Sequence, residues 1–314
     1  MRRRLWDNLR PRVRGIYHAV TSGGYPLYLQ RESYKPFFIV GSGRCGTTLL
    51  RRLLQASPEI HIPPENWALA GCIRSFRRCR WLLTWREMVD LLLGRHVLDS
   101  DRWFDEPPAD LRKQLLKIPN QNRSLARFLD AVYCYHGEQQ NATFRRWGDK
   151  TPLNINCMDA IVDVFPAAKF IHLVRDGVDV THSWTKLPKY RNDVKRAAQR
   201  WADAVKKAKK FTTRYPERIS EVSYESLCQA PEKTLRKICQ FIDLSYESNM
   251  IARTDHYDNM EEAQSIGHYQ NVFKGITTDS IGKGRSTLTR VQKQKIEPII
   301  NHHLDHLGYE IIQI

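Results

Sequence analysis

The sequence predicts an α/β protein, a three-layer α/β/α arrangement around a central parallel sheet. Short apolar runs that end in glycine or polar turns recur at 37–40, 169–174 and 218–224. The first two lead into segments of helical periodicity, the order from which parallel sheets are built, and further helices lie between and after the strands. The chain has 314 residues, 41% of them hydrophobic and 27% charged, which is enough to bury a large core and excludes a disordered or collagen-like chain.

Residues 1–35 are basic and rich in turn formers, Gly23, Gly24 and Pro26 among them, and read as an N-terminal arm ahead of a single domain over 36–314. Phe37-Phe38-Ile39-Val40 has the unbroken apolar character of a buried parallel strand. Gly41-Ser42-Gly43-Arg44-Cys45-Gly46-Thr47-Thr48 follows at once and opens a helix. Backbone N–H groups and the positive end of a helix dipole at such a turn suit a phosphate, which makes this a P-loop-like strand–loop–helix. Against the pattern G-x-x-x-x-G-K-[ST], Gly41 and Gly46 keep the spacing, Thr47 stands in place of the lysine, and Arg44 places a cation earlier.

Ile60-His61-Ile62 alternates like a short strand. The stretch 66–137 is mostly helical, with Trp81, Leu82, Trp85, Val89 and Leu92 at core-facing spacings and breaks at Pro107-Pro108 and Pro119-Asn120. Trp147-Gly148-Asp149-Lys150-Thr151-Pro152 reads as a turn with Thr151 as helix N-cap and Pro152 at the first helical position. Lys169–Val174 is a second strand, closed by Arg175-Asp176-Gly177 and followed by a helix through Trp184. A basic helix over 192–214 carries Lys206, Lys207, Lys209 and Lys210 as a solvated face, Arg218–Tyr224 is a third strand, and 231–243 and 288–307 are helices. Ligands of such sheets bind beyond the carboxyl ends of the strands, so the three strand-end turns are expected to share one crevice.

Lys and Arg total 50 against 34 Asp and Glu, a net charge of +16, and the resulting field favours anionic partners without choosing among them. The seven cysteines, Cys45, Cys72, Cys79, Cys134, Cys157, Cys228 and Cys239, form no C-x-x-C pair and no cluster at zinc spacing. A reducing compartment and no metal are therefore expected. The basic first fifteen residues lead into no apolar segment, and no run nears the roughly 20 residues that span a bilayer, so the expectation is a cytoplasmic chain without a membrane span.

The string Ile39-Val40-Gly41-Ser42-Gly43-Arg44-Cys45-Gly46-Thr47-Thr48 resembles the 5′-phosphosulfate loop of sulfotransferases that use 3′-phosphoadenosine 5′-phosphosulfate (PAPS), with Cys45 where serine is commoner. Phe170–Trp184 resembles the 3′-phosphate motif of that family, a strand, then Arg175 and a serine, Ser183, eight residues on. A guanidinium at a strand end can grip a phosphate in bidentate fashion; the competing reading of Arg175 is an ion pair with Asp176 or Asp179. Ser223-Tyr224-Glu225-Ser226-Leu227 resembles the family's Tyr-Glu-x-Leu strand end, although Tyr224 equally suits a core position. Ile281-Gly282-Lys283-Gly284-Arg285-Ser286 resembles the late basic loop that closes over PAPS, or is a plain surface turn.

The resemblance runs over about 37–300 with four motifs in the family's order. It implies PAPS as co-substrate, held by Gly43, Arg44, Cys45, Gly46, Thr47, Thr48, Arg175, Ser183, Tyr224, Lys283, Gly284, Arg285 and Ser286, and sulfuryl transfer to a hydroxyl or amine acceptor. Glu65, at a distance from Arg44 that resembles the catalytic glutamate of the tyrosylprotein branch, is the expected general base, with His61 as competitor. Lys150 resembles the family's Lys-x-Pro lysine and shares with Arg44 the charge of the leaving phosphate. The acceptor implied is carbohydrate, tyrosyl or another hydroxyl compound, read by loops within 66–140, 186–192 and 255–275, with no nucleic acid required. A P-loop-type nucleotide kinase and a non-catalytic polyanion-binding protein remain the alternatives.

Overall fold

A computed structural model describes residues 24–99, 103–140, 142–252 and 276–314. The first 23 residues of the basic arm and the acceptor-loop stretch 255–275 lie outside the described residues. In chain order the elements are β1 (Phe37–Val40), α1 (Thr47–Gln55), β2 (Ile60–His61), α2 (Ala68–Cys79), α3 (Trp85–Leu98), α4 (Ala109–Leu116), α5 (Leu125–Gln139) and β3 (Arg146–Asp149). They continue as α6 (Met158–Val162), β4 (Lys169–Val174), α7 (Gly177–Thr185), α8 (Val194–Arg214), β5 (Ile219–Ser223), α9 (Tyr224–Gln229) and α10 (Pro231–Phe241). The last are α11 (Asn249–Ala252), α12 (Lys283–Thr287) and α13 (Arg290–His306). The described residues divide into two compact units, one within Met1–Pro36, Pro63–Trp147 and Asp159–Ala168, the other within Phe37–Ile62, Gly148–Met158 and Lys169–Ile314.

The second unit carries the sheet. Its strand order is β2-β3-β1-β4-β5, with β1 parallel to β3 and β4, and β4 parallel to β5. The expected α/β fold with a central parallel sheet is therefore present, with five strands where the sequence reading found three clear ones and a short candidate at 60–62. β3, Arg-Trp-Gly-Asp, escapes that reading because glycine and aspartate are turn residues by composition and four residues leave little alternation to detect. All four residues of β1 are fully buried, as a strand covered on both faces requires. Across β1 and β4, Phe38 and Phe170 stack with ring centroids 5.4 Å apart, a contact worth about 0.5–1.5 kcal/mol beyond its buried area.

Parallel register puts the carboxyl ends of these strands on one edge: Phe38 pairs with Asp149, Val40 with His172, and Val174 with Ser223. The chain leaves that edge into the glycine loop after β1, Lys150 after β3 and Arg175 after β4. The last strand is shorter than expected. Ser223 is the N-cap of α9, its hydroxyl accepting from the Ser226 N–H at 3.1 Å, so Tyr224 opens a helix instead of ending the strand. In α8, Ala197, Ala198, Trp201, Val205, Ala208 and Phe211 form the buried stripe, and the four lysines lie on the exposed face as read.

The first unit is helical with an aromatic core. Tyr133 and Trp147 stack at 4.0 Å, and the Trp85 indole N–H donates to the Leu115 carbonyl at 2.8 Å. Thr84 and Glu87 form a capping box that starts α3. Because α2 stops at Cys79 and α3 starts at Trp85, Trp81 and Leu82 fall in the connection and are exposed, against the expectation of core positions, whereas Trp85, Val89 and Leu92 are buried. The described end of the arm docks on α5: Leu125 and Ala126 N–H donate to the carbonyls of Pro26 and Leu27 at 3.2 and 2.8 Å.

Candidate active site

Loop 41–48 turns left-handed three times, at Gly43 (φ 76°), Arg44 (φ 59°) and Gly46 (φ 94°). A backbone of this kind aims successive N–H groups into one concavity. Gly46 is the N-cap of α1 and no side chain caps that end, so the first N–H groups of the helix can serve an anion. A Cβ on Gly46 would stand 2.4 Å from the Tyr224 ring, and one on Gly43 would stand 2.7 Å from Trp184. Two aromatic side chains thus close on the loop where it has none. Thr47 is buried and Thr48 half-buried, while Cys45 is fully buried and its thiol is pushed up by burial, which keeps it neutral.

The structure joins the loop to the second motif. Arg44 Nε donates to Ser183 Oγ at 3.2 Å. Arg175, at the end of β4, lays its guanidinium over the Tyr224 ring, 4.6 Å from the centroid. Arg175 Nη2 donates to Asp179 Oδ2 at 3.2 Å and to the Ser280 carbonyl, whereas its Nε is buried without a hydrogen-bond partner. The ion-pair reading of this arginine is present, through Asp179, and Nε remains a buried donor without a protein partner. Burial pushes the Tyr224 hydroxyl up to about 12, so it stays protonated. His182 is held below its usual value by burial first, with Lys186, Arg175 and Lys283 adding cationic charge.

The late basic segment is not an open loop. Gly282 is a left-handed N-cap and Lys283–Thr287 form the single-turn helix α12. Arg285 Nε donates to Asp176 Oδ2 at 2.6 Å and its Nη2 to the Glu310 carbonyl, which ties this guanidinium to the protein. Ser286 Oγ donates to the carbonyls of Gly282 and Lys283, Gly284 is buried, and of the two cations Lys283 is the exposed one. Asp176 caps α7 through the Val178 N–H at 2.8 Å, and burial raises its carboxyl above the ordinary value despite Arg285 beside it.

Lys150 is buried at the end of β3, and the Gly41 N–H donates to the Pro152 carbonyl at 3.3 Å, fastening the segment after Lys150 to the start of the glycine loop. The expected Thr151 cap is absent: Pro152–Asn156 form a 3₁₀ turn that the threonine side chain does not cap. Glu65 belongs to the first unit, half-buried, its Oε1 accepting from the Trp67 indole N–H at 3.4 Å. Glu65 precedes the next helix and is not part of it: α2 starts at Ala68, where Asn66 Oδ1 accepts the backbone N–H at 2.7 Å. Asn66 Nδ2 also meets His96 Nδ1 at 3.2 Å and Trp103 Nε1 donates to the Pro64 carbonyl at 2.9 Å, so the Glu65 segment is pinned from both sides. His61 is buried in β2.

Sequence reasoning missed Arg200. From α8 its Nε donates to the Ser42 carbonyl at 3.1 Å while its guanidinium lies 4.4 Å over Trp184. The signal was its position beside the core residue Trp201, obscured by the lysines downstream. Among the described residues no group of three or more His, Cys, Asp or Glu is placed to hold a metal ion, and no helix is long and apolar enough to cross a membrane. None of the seven cysteines forms a disulfide.

Among solved structures, the sulfotransferase domain of the Synechococcus PCC 7002 olefin synthase has the same fold, with TM-score 0.58 and 22% identity over 91% of this chain and 99% of that one. A protein-tyrosine sulfotransferase of Drosophila melanogaster is 25% identical over 242 residues, 74% of this chain. An omega-hydroxy-beta-dihydromenaquinone-9 sulfotransferase of Mycobacterium bovis is 28% identical over 248 residues, 67% of this chain. The chain spans 42% and 63% of the lengths of these two relatives. A model of the sulfotransferase family matches residues 36–248, over which the glycine loop, Arg175, Ser183 and Tyr224 all fall, and on that match the chain belongs to the sulfotransferase family.

Proposed function

We propose that the protein transfers a sulfuryl group from PAPS to a hydroxyl acceptor. The observation that carries this reading is Arg175, whose buried Nε has no protein partner and whose guanidinium rests on Tyr224, the ring that closes on Gly46 of the phosphate loop. One aromatic side chain thereby spaces a strand-end arginine from a phosphate cradle, as a nucleotide with separate 5′ and 3′ anions demands. When bound, PAPS supplies a sulfuryl group already activated as a mixed anhydride.

The N–H groups of 43–48 hold the 5′ anion, and Arg44 and Lys150 stabilise the charge that grows on the departing phosphate. Arg175, with Lys283 exposed nearby in sequence to the Ser280 carbonyl it touches, holds the 3′ anion. Glu65 removes the acceptor proton, supported by its pinned segment and the indole N–H beside it. The acceptor is an alcohol or phenol; the relatives are named for a tyrosyl and for a terminal hydroxyl acceptor. Seven cysteines that form no disulfide favour a reducing, cytoplasmic location.

Calorimetric titration with 3′-phosphoadenosine 5′-phosphate (PAP) in metal-free buffer tests the reading, with Arg44→Ala, Arg175→Ala and ATP as comparisons. Binding that both variants weaken supports it, and Glu65→Gln should then keep nucleotide affinity while turnover falls ~10²–10⁴-fold. ATP bound as well as PAP, and only with Mg²⁺, would overturn it in favour of a kinase.

A further inference from the structure

Asp179 is wholly buried, and three N–H donors converge on its carboxylate. Oδ1 accepts from the Gly284 N–H at 2.6 Å; Oδ2 accepts from the Gly282 N–H at 2.8 Å and from Arg175 Nη2 at 3.2 Å. The residues on either side of Lys283 therefore hang from the same carboxylate that orients Arg175. The approach is close because position 284 has no side chain: a Cβ there would stand 2.3 Å from the Val178 carbonyl. Arg175 also donates to the Ser280 carbonyl, so segment 280–284 is fixed to the arginine at one end and to Asp179 at the other.

We infer that Asp179 is the positioning residue for recognition of the nucleotide 3′-phosphate: it holds the Nη2 edge of Arg175, turns the unpartnered Nε toward the ligand, and suspends Lys283 beside it. The inference rests on the PAPS reading above and goes beyond it by making selectivity for the 3′-phosphate a property of a residue that touches no ligand. A buried carboxylate is costly unless its lone pairs are filled, and here the donors that fill them are the recognition elements themselves. Asparagine offers one acceptor oxygen where three donors converge, so Asp179→Asn leaves at least one of them facing an NH₂ group.

The test compares PAP with 5′-AMP, which lacks the 3′-phosphate, in calorimetric titrations of the full chain. Asp179→Asn should reduce the PAP-to-AMP affinity ratio ~10–100-fold while AMP binding changes little, and exchange of the Gly282 and Gly284 amides should accelerate. Loss of a merely structural contact would weaken both nucleotides alike, and an unchanged ratio overturns the inference while leaving the PAPS reading intact. Wild-type protein that binds neither nucleotide overturns both. Should Asp179→Asn fail to fold, hydrogen exchange in Arg175→Ala decides: amides of 282 and 284 that stay slow show Asp179 to be the anchor, and amides that accelerate as strongly as the neighbouring loop show the arginine to be the anchor and overturn the inference.

Discussion

The two segments that face the proposed nucleotide are built by opposite means. Loop 41–48 is shaped by its own backbone, with three left-handed residues between a buried strand and a nine-residue helix. Segment 282–287 has one turn of helix and is hung from α7 by side chains, Asp179 on its amides and Asp176 on Arg285. The first is local and carries its geometry in adjacent residues; the second borrows its geometry from partners about a hundred positions away. Backbone-built sites are rigid by covalent continuity, whereas suspended ones hold only while their anchors stay ionised and in place.

The largest effect should come from the backbone-built loop. Gly46→Ala forces a side chain into a left-handed position and against Tyr224, costing about 1–2 kcal/mol for the conformation alone, and PAP affinity should fall ~100-fold in titration. A smaller loss at Gly46 than at position 284 would break the contrast. Gly284→Ala lifts α12 from α7 instead, since its Cβ meets the Val178 carbonyl at 2.3 Å; an affinity drop of ~10-fold with little change in melting temperature is expected. A melting temperature that drops as far as in Gly46→Ala would show the second segment to be part of the folding core.

Acid should separate the two segments least, but in a definite direction. Burial raises Asp176 above its ordinary 3.8 by more than Arg285 lowers it, so the folded chain binds this proton more tightly than the unfolded chain. Ionising Asp176 therefore costs folding stability, and its contribution declines as pH rises through the window above 3.8. Protonation within that window removes the negative charge that Arg285 faces and weakens their bond, while loop 41–48 contains no carboxylate at all. The Arg285 Nε–H resonance should titrate above the ordinary aspartate range as the amides of 43–48 stay still; a joint shift would show the segments to be one unit.

The same contrast explains what was legible in the sequence. β1, β4, α1 and α8 announce themselves because apolar runs and helical stripes are local patterns, and the glycine loop is legible for the same reason. The Arg175-to-Ser183 spacing points to one site; the structure bonds Ser183 to Arg44 and lays Arg175 over Tyr224. What escaped is tertiary. From the sequence Asp179 reads only as an ion-pair partner of Arg175, because nothing in the local sequence says that amides of residues 282 and 284 will seek it. β3 was hidden by its glycine and aspartate, and Ser223 ended β5 early because a capping hydroxyl outweighs the strand preference of the tyrosine that follows.

The bond from Arg44 to Ser183 has a kinetic side. An arginine on a surface loop samples many rotamers, and a ligand that needs one of them must wait for it or select it from a small population. Here folding has already confined the side chain, through a hydroxyl on the helix that follows another strand. Encounter with an anion then finds the guanidinium in place, and the entropy of ordering it does not weigh against association. Removing the Ser183 hydroxyl would leave the charge at position 44 unchanged but return the cost of ordering it to the moment of binding, so affinity for the anion would fall along with the rate of capture.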